Sequence, residues 1–180
     1  MATIADLENL IGPPIRPAPI NDWDAIEADL ELRLPADYKE LMTRYASLKL
    51  DAHLGLYIPN PGDHPQETMR EGVLSMLRDL GPHEDEELEI VDGQGNVLEE
   101  RHFPHYPHPE GLLPWGSTQN GDVCLWETTG DPDTWKVCIS DGIFIWKHGS
   151  GILDFLVKAN QWSLSCPLLP DGGNLDRTYT

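Results

Sequence analysis

The sequence predicts an α+β fold, in which a central antiparallel sheet (a meander) is surrounded by N-terminal and C-terminal helices. Three observations support this prediction. Residues 111–145 contain three or four short strand patterns, each ended by a turn signal. Residues 20–45 carry two helical patterns, and residues 152–160 carry another. Each helical pattern has one apolar side, and we expect these sides to be buried against the sheet.

The turns of the meander are indicated by glycine, asparagine, aspartate and proline. Asn120 and Gly121 form the strongest hairpin signal, because both central residues of the tight turn must take positive φ. Residues 130–133 and 141–142 supply the next two turns. Strand alternation predicts two faces, with Val123 and Leu125 opposite Cys124 and Trp126, and with Trp135, Val137 and Ile139 opposite Lys136, Cys138 and Ser140.

The chain is predicted to hold a short helix and a connector before a single domain. Apolar residues recur at helical spacing between Ile4 and Ile11, and the proline-rich run up to residue 19 prohibits helix. We expect residues 20–165 to form one domain, because 180 residues suit one domain with a sizeable core. Residues 166–180 show no periodicity and are predicted to be a loose tail.

The domain opens with two helical patterns. Asn21 or Asp22 is expected to cap the first helix, and Pro35 suits the first turn of the second. Their apolar sides consist of Trp23, Ile26 and Leu30 in the first helix and of Tyr38, Leu41, Met42 and Tyr45 in the second.

A strand and a helix are predicted between these helices and the meander. The strand covers residues 54–58, and the helix covers residues 67–80. After the meander, residues 149–150 are expected to cap the C-terminal helix. The inward side chains of these two helices are Met69, Val73, Met76, Leu77 and Leu80, followed by Ile152, Phe155 and Leu156.

The most acidic stretch covers residues 84–100, which contain eight acidic residues and no basic residue. Residues 92–96 are predicted to be a turn between two short strands, within an exposed insertion at about residues 82–110. Two interpretations remain open: a solvated loop, or an acidic surface that meets a basic partner. Together with the aspartate-rich turn, the candidate contacts are Glu84, Asp85, Glu86, Glu87, Glu89, Asp92, Asp131 and Asp133.

The net charge of −19 is the compositional feature that bears most on function. Phosphate backbones and anionic membrane surfaces are repelled by such a protein, so direct binding to nucleic acid or to a membrane is disfavoured. A basic protein partner is attracted, and its association is accelerated. The simpler alternative is that the acidity keeps the protein soluble.

The sequence contains no motif that indicates an enzyme. It lacks a nucleophile elbow, a P-loop, a zinc-protease helix and a dinucleotide-binding turn. Asp131 and Asp133 beside Glu127 are interpreted as turn residues rather than as an acid–base pair. The three histidines between residues 102 and 108 are held about 9 Å apart by an extended proline-rich backbone. We therefore expect a proline-rich surface loop there, with no metal site and no cofactor.

Three cysteines bear on the compartment. Cys124 and Cys138 fall on adjacent predicted strands and could face each other. We expect buried thiols rather than a disulfide, because the N-terminus lacks the basic start and apolar core of a secretory signal. No run of about 18 apolar residues is present, so we expect no membrane span and a cytoplasmic location.

Two groups of residues carry a resemblance to a known family. The first group consists of residues 112–116, an Asn-Gly-Asp turn, a Leu-Trp-Glu-Thr strand and an aspartate-rich turn, in that order. The second group lies upstream and is a helical motif that contains a tryptophan. Over roughly residues 20–160 they resemble the SUKH superfamily, which includes fungal cell-wall-assembly regulators and bacterial immunity proteins. The residues that match are Trp23, Glu27, Leu34, Pro35, Tyr38, Pro114, Trp115, Gly116, Asn120, Gly121, Asp122 and Trp126.

The resemblance implies a function in binding. SUKH domains in bacteria commonly neutralise a toxin, often a nuclease, by direct contact. We therefore expect a non-catalytic immunity protein whose partner is a basic toxin, and whose acidity lets it fill a basic substrate groove. A regulatory scaffold like the fungal branch is the first alternative. A small-molecule sensor or enzyme with a pocket between helices and sheet is the second.

Overall fold

The computed structural model describes residues 2–18, 20–45, 48–50, 53–56, 68–79 and 87–170. The helices in these residues are α1 (Ile4–Ile11), α2 (Trp23–Leu30), α3 (Ala36–Arg44), α4 (Met69–Asp79) and α5 (Ile152–Asn160). The strands are β1 (Lys49–Leu50), β2 (Leu54–Leu56), β3 (Glu87–Val91), β4 (Val97–His102), β5 (Leu112–Thr118), β6 (Val123–Glu127), β7 (Lys136–Ser140) and β8 (Phe144–Lys147). A 3₁₀ turn at Pro132–Thr134 joins β6 to β7.

The eight strands form one sheet in the order β1-β2-β5-β6-β7-β8-β3-β4. Every neighbouring pair is antiparallel except β3 with β8, which is parallel. The predicted meander is therefore confirmed as β5 to β8, with the Asn-Gly turn between β5 and β6. Gly121 there has a φ of +95°, a conformation that glycine adopts without strain. The predicted α+β class is confirmed.

The sheet curls, because the chain beyond β4 returns to β5. The Leu112 N–H donates to the carbonyl of Pro104 at 2.7 Å, and the Tyr106 N–H donates to the carbonyl of Leu112 at 3.1 Å. The side chain of Arg101 on β4 also reaches Glu127 on β6, although three strands lie between them in the sheet. We call the face toward which the sheet curls the inner face, and the opposite one the helix-covered face.

The main core lies between the helices and the helix-covered face. Trp115 and Trp126 are fully buried there, with ring centroids 6.0 Å apart. Tyr38 of α3 packs edge-on against Trp126 at 5.0 Å, and Phe155 of α5 packs against Trp115 at 5.9 Å. Large aromatic rings supply much apolar area per residue, so these contacts fix the helices on the sheet.

A smaller apolar cluster fills the inner face. It consists of Ile90, Phe103, Leu112, Val123, Leu125, Cys138 and Ile145, with Met76 and Leu88 packed against it. The alternation predicted for β6 and β7 is confirmed, since Cys124, Trp126, Val137 and Ile139 belong to the main core.

The three cysteines are free and buried, as expected from the sequence. Cys124 and Cys138 do not face each other, because Cys124 is opposite Ile139 and lies on the other face of the sheet. Burial raises the pKa of Cys138 to about 12, so its thiol stays protonated and acts as a small apolar residue.

Several elements differ from their predictions. The turn predicted at residues 92–96 between two short strands is confirmed as the turn of the β3–β4 hairpin, but this hairpin belongs to the sheet and is not a solvated loop, because β3 pairs with β8. The proline-rich segment that follows was predicted to be a surface loop, but part of it is buried. Phe103 and Tyr106 are buried, and the Tyr106 hydroxyl donates a hydrogen bond to the carbonyl of Leu30 at 2.8 Å. Cys166 and Leu169 are buried in the main core, so the predicted loose tail does not begin at residue 166.

Two predicted elements extend beyond the described residues. The helix over residues 67–80 is seen as α4, and the strand over 54–58 is seen as β2. None of the helices in the described ranges has the length and hydropathy needed to cross a membrane.

Candidate partner-binding surface

The β3–β4 hairpin is the candidate site, because it combines acids, exposure and an edge position. β4 is the last strand of the sheet, and all six of its residues are exposed. β3 begins with Glu87, which is exposed, and continues to Glu89, which is half-buried. The candidate residues Glu84, Asp85 and Glu86 lie outside the described residues.

The strand register places like charges opposite each other. Glu89 is the direct partner of Glu100 across the hairpin, and Glu87 is the partner of His102. Directly opposite residues share a face, and like charges in that position are destabilising. Among the described residues, neither Glu89 nor Glu100 has an ion-pair partner. A positive group from another molecule would relieve this repulsion.

Two basic residues of the neighbouring strands, Arg101 on β4 and Lys147 on β8, are engaged on the inner face. Arg101 and Lys147 both pair with Glu127, Lys147 at 2.9 Å, and both lie over the ring of Phe103 at 4.2 and 4.7 Å. Burial alone raises the pKa of Glu127, but its hydrogen bonds and charge contacts with Lys147 and Arg101 outweigh burial and lower it. These two cations therefore stabilise the curl of the sheet and leave the hairpin glutamates unneutralised.

Two apolar residues at the start of β4 complete the surface. Leu98 is 65% exposed and Val97 is 49% exposed, which is high for such side chains. A register shift between Ile90 and Val91 leaves Leu98 unpaired at this point of the hairpin. Sequence reasoning named neither these residues nor Glu100 as contacts. Their only sequence signal was position within the acidic stretch, because the pairing register cannot be read from one strand.

Asp92 has a structural role at the hairpin turn. Its Oδ1 accepts hydrogen bonds from the backbone N–H of Gln94 at 2.8 Å and of Asn96 at 2.9 Å. Hydrogen bonds from the Asn96 side chain, followed by these two backbone bonds, lower the pKa of Asp92. The carbonyl of Gly93 accepts from the Ser165 hydroxyl at 2.8 Å, which ties the turn to the C-terminal segment. Asp92 thus fixes the shape of the candidate site.

Asp131 and Asp133 lie in the turn between β6 and β7, away from the hairpin in the sheet order. Asp131 accepts from the Asp133 N–H at 3.0 Å and caps the 3₁₀ turn. Asp133 accepts from the Ala36 N–H at 2.7 Å and so caps α3, which begins directly after Pro35. Both side chains have structural partners, although both remain exposed.

Helix α5 is capped from a distance. Its N-cap residue is Gly151, whose side chain cannot cap, so the predicted capping by residues 149–150 is wrong. Instead, Oδ2 of Asp37 accepts from the Leu153 N–H at 3.4 Å. A Cβ on Gly151 would lie 2.5 Å from that oxygen, so glycine leaves room for the carboxylate.

A cavity of about 240 Å³ opens beside these caps. Burial raises the pKa of Asp37, and the charge of Asp133 raises it further, against the lowering effect of backbone hydrogen bonds. Asp154, also in the lining, pairs with His148 and Lys158 at 2.9 Å each. The carboxylates of this cavity are therefore all engaged by helix termini or bases. No group of three potential ligands that could hold a metal ion occurs among the described side chains.

The matching residues of the N-terminal helices are structural. Trp23 packs edge-on against Tyr38 at 6.2 Å. Glu27 accepts from the Leu34 N–H at 2.9 Å and pairs with Lys39 at 2.7 Å. This carboxylate joins α2 to the beginning of α3, where Leu34 is buried and Pro35 precedes the helix.

The matching residues of the meander are structural as well. Pro114 and Gly116 flank a register shift on β5, between which Trp115 points into the core. Asp122 accepts a hydrogen bond from the Thr118 hydroxyl at 2.6 Å and fixes the turn that contains Asn120 and Gly121. The matching residues of the helices and of the meander therefore have structural roles in the fold.

Comparison with known proteins adds one finding. A family profile described as SMI1-KNR4 cell-wall, of the SUKH group, matches residues 20–156, which is well over half of the 180 residues. Neither a curated protein nor a solved structure matches the chain significantly.

Proposed function

Because the chain belongs to the SUKH superfamily, through its SMI1-KNR4 cell-wall family, we propose that it is a non-catalytic immunity protein. In this proposal it binds a basic toxin protein directly and neutralises it in the complex. The family match is equally compatible with immunity and with regulation of the SMI1-KNR4 type. The choice between them rests on charge.

The single observation that supports the proposal is the pair of Glu89 and Glu100, which oppose each other across the hairpin at the edge of the sheet and have no ion-pair partner among the described residues. Arranging like charges across a hairpin costs stability, so we expect a compensating use for them. A basic partner gains from these acids and from the net charge of −19, which accelerates its approach. Leu98 and Val97 supply apolar contact beside the charges.

The proposal predicts that a neighbouring gene encodes the toxin, and the test is whether this protein inhibits the product of that gene. The purified product is mixed with this protein at low and at high salt, and complex formation and toxin activity are measured. We expect a complex that weakens with salt and in which the activity is lost. A complex that leaves the activity intact, or no complex at either salt, would refute the immunity function.

A regulatory scaffold is the second candidate, favoured by the cell-wall description of the matched family. A scaffold predicts binding to a housekeeping protein that need not be basic, and binding that depends little on the hairpin acids. The double variant Glu89→Gln/Glu100→Gln separates the two candidates. It weakens capture of a basic toxin and leaves capture of a scaffold partner unchanged.

The control for that variant has the same change of net charge. Asp24 on α2 and Glu40 on α3 are exposed acids in the N-terminal helix pair. Asp24→Asn/Glu40→Gln should leave toxin capture close to that of the unmodified protein. Equal loss in both double variants would mean that total charge, and not the hairpin, attracts the partner.

A further inference from the structure

We infer that β4 accepts an extended, lysine- or arginine-bearing segment of the partner protein as an added strand of the sheet. This inference rests on the proposed function, because the basic partner supplies the segment. It goes further by naming the contact: backbone hydrogen bonds along the edge of β4, with the glutamates selecting basic side chains.

The backbone of β4 offers hydrogen-bonding groups on its outer side. The Glu89 N–H donates to the carbonyl of Ile143, on the β8 side of β3, at 3.0 Å. In an antiparallel ladder the direction alternates, so Leu88 and Ile90 bond toward β4, to their partners Arg101 and Glu99. The N–H and C=O of Glu100, between those two, therefore point away from the sheet. They have no hydrogen-bond partner among the described residues.

The side chains around this edge fit a basic, partly apolar strand. On an added antiparallel strand, the residue opposite Glu100 shares its face, so a lysine or arginine there would pair with Glu100. Glu89 lies on the same face one strand further in and adds to the negative charge at that position. Leu98 stands two residues before Glu100 and is exposed. Peptides that extend a sheet gain affinity from main-chain bonds and specificity from alternate side chains.

The same charges disfavour a second copy of this chain as the occupant. Pairing β4 with another β4 would bring Glu99 and Glu100 of both copies together on one ladder. Like charges at that spacing are destabilising, and the net charge of −19 on each copy adds to the repulsion. Charged edges also protect proteins from unwanted strand pairing. A strand that carries lysine or arginine is not repelled by the edge glutamates, because its charge is opposite to theirs.

The probe for the test is a short peptide of alternating lysine and valine. Its matched control carries the same side chains but has N-methyl groups on alternate backbone nitrogens, so that it cannot donate along one edge. We expect the unmethylated peptide to bind the unmodified protein and to slow amide exchange at Glu100, and we expect the methylated peptide to bind at least about threefold more weakly.

Two variants locate the binding edge. Both Glu100→Pro and Glu100→Ala remove the negative charge of Glu100. Glu100→Pro also removes the outward backbone N–H, whereas Glu100→Ala keeps that N–H. A proline whose missing N–H points outward is tolerated on an edge strand. We expect Glu100→Pro to bind the peptide about threefold to tenfold more weakly than Glu100→Ala, which corresponds to one lost hydrogen bond.

The outcomes separate this inference from the proposed function. Equal binding of both peptides, or equal binding by the two variants, would overturn strand addition and leave charge alone as the attraction. No peptide binding would also overturn it. Self-association that Glu100→Pro abolishes would show that a second copy occupies the edge. If Glu100→Pro fails to fold, the methylated peptide on the unmodified protein still decides. Toxin inhibition is measured in a separate experiment, so the proposed function can be confirmed even if the peptide experiments overturn strand addition.

Discussion

At the scale of single residues, the described acidic side chains include some that hold the fold and some that have no ion-pair partner within the described ranges. Asp133 belongs to the first group, since it accepts from the Ala36 N–H at 2.7 Å. Glu89 and Glu100 belong to the second, since neither takes part in an ion pair of the described residues and they oppose each other on the hairpin. Composition alone cannot make this distinction, because every acid contributes equally to the net charge.

Asp133→Ala should destabilise the protein without weakening its binding. Loss of a helix cap typically costs about 0.5–2 kcal/mol of unfolding free energy, and we expect a loss in that range. Denaturant unfolding measures it, with the exposed Glu40→Ala as the control on the same helix. Unchanged stability would show that the Ala36 N–H is equally well satisfied by water. Weaker partner binding at full stability would instead make Asp133 a contact.

Glu127→Gln tests the ion pairs of the inner face. We expect it to lower the unfolding free energy by about 1.5–3 kcal/mol at neutral pH, the range for hydrogen bonds to charged groups. The pKa of Glu127 is lowered in the folded protein, so its contribution is complete above the ordinary value of 4.5 and is lost as the pH falls through the folded pKa.

The difference in stability between unmodified protein and Glu127→Gln should therefore shrink below pH 4.5. Unfolding curves at a series of pH values check this. A difference that stays constant as the pH falls would show that Glu127 contributes through packing and not through its charge.

At the scale of the secondary-structure elements, β5 approaches β2 too closely for any side chain at Gly116. A Cβ there would lie 2.6 Å from the carbonyl oxygen of Gly55, which is backbone and cannot rotate away. We expect Gly116→Ala to separate the strands and to cost about 1–3 kcal/mol of stability. Gly121→Ala is a useful comparison, because its cost comes from the positive φ alone. A fully stable Gly116→Ala would mean that β2 can shift.

The elements with strong local signals could be predicted from the sequence. The meander, its Asn-Gly turn, the Asp22 cap and helix α5 follow from turn chemistry and periodicity, and the structure confirms them. The hairpin could not be placed as an edge, because β3 pairs in parallel with β8, which lies more than fifty residues later in the chain. Local patterns carry no information about such a pairing.

The capping of α5 by Asp37 could not be predicted either, because local sequence patterns do not show contacts between distant parts of the chain. Asp37 lies in the first turn of α3, where an aspartate is expected for local reasons. Its side chain instead accepts from the N-terminus of α5, 116 residues later. The sequence suggested the nearest candidates, residues 149–150, because capping by neighbouring residues is the commoner arrangement.

At the scale of the whole molecule, the curled sheet separates two functions of charge. Its inner face uses Arg101 and Lys147 to neutralise Glu127, whereas Glu89 and Glu100 of the edge hairpin pair with no base in the described part of the chain. The family match covers residues 20–156, a range that includes the elements from α2 to β8. The candidate contacts that the sequence analysis placed in the acidic stretch stay a prediction.

The most direct measurement is the association rate of this protein with the adjacent gene's product as a function of salt. We expect Glu89→Lys/Glu100→Lys to slow association and to flatten its salt dependence, since attraction between opposite charges is what salt screens. Asp24→Lys/Glu40→Lys, with the same change of charge, should do so much less. Identical rates and salt slopes in the two double variants would contradict the central claim that the β3–β4 hairpin is the surface that meets a basic partner.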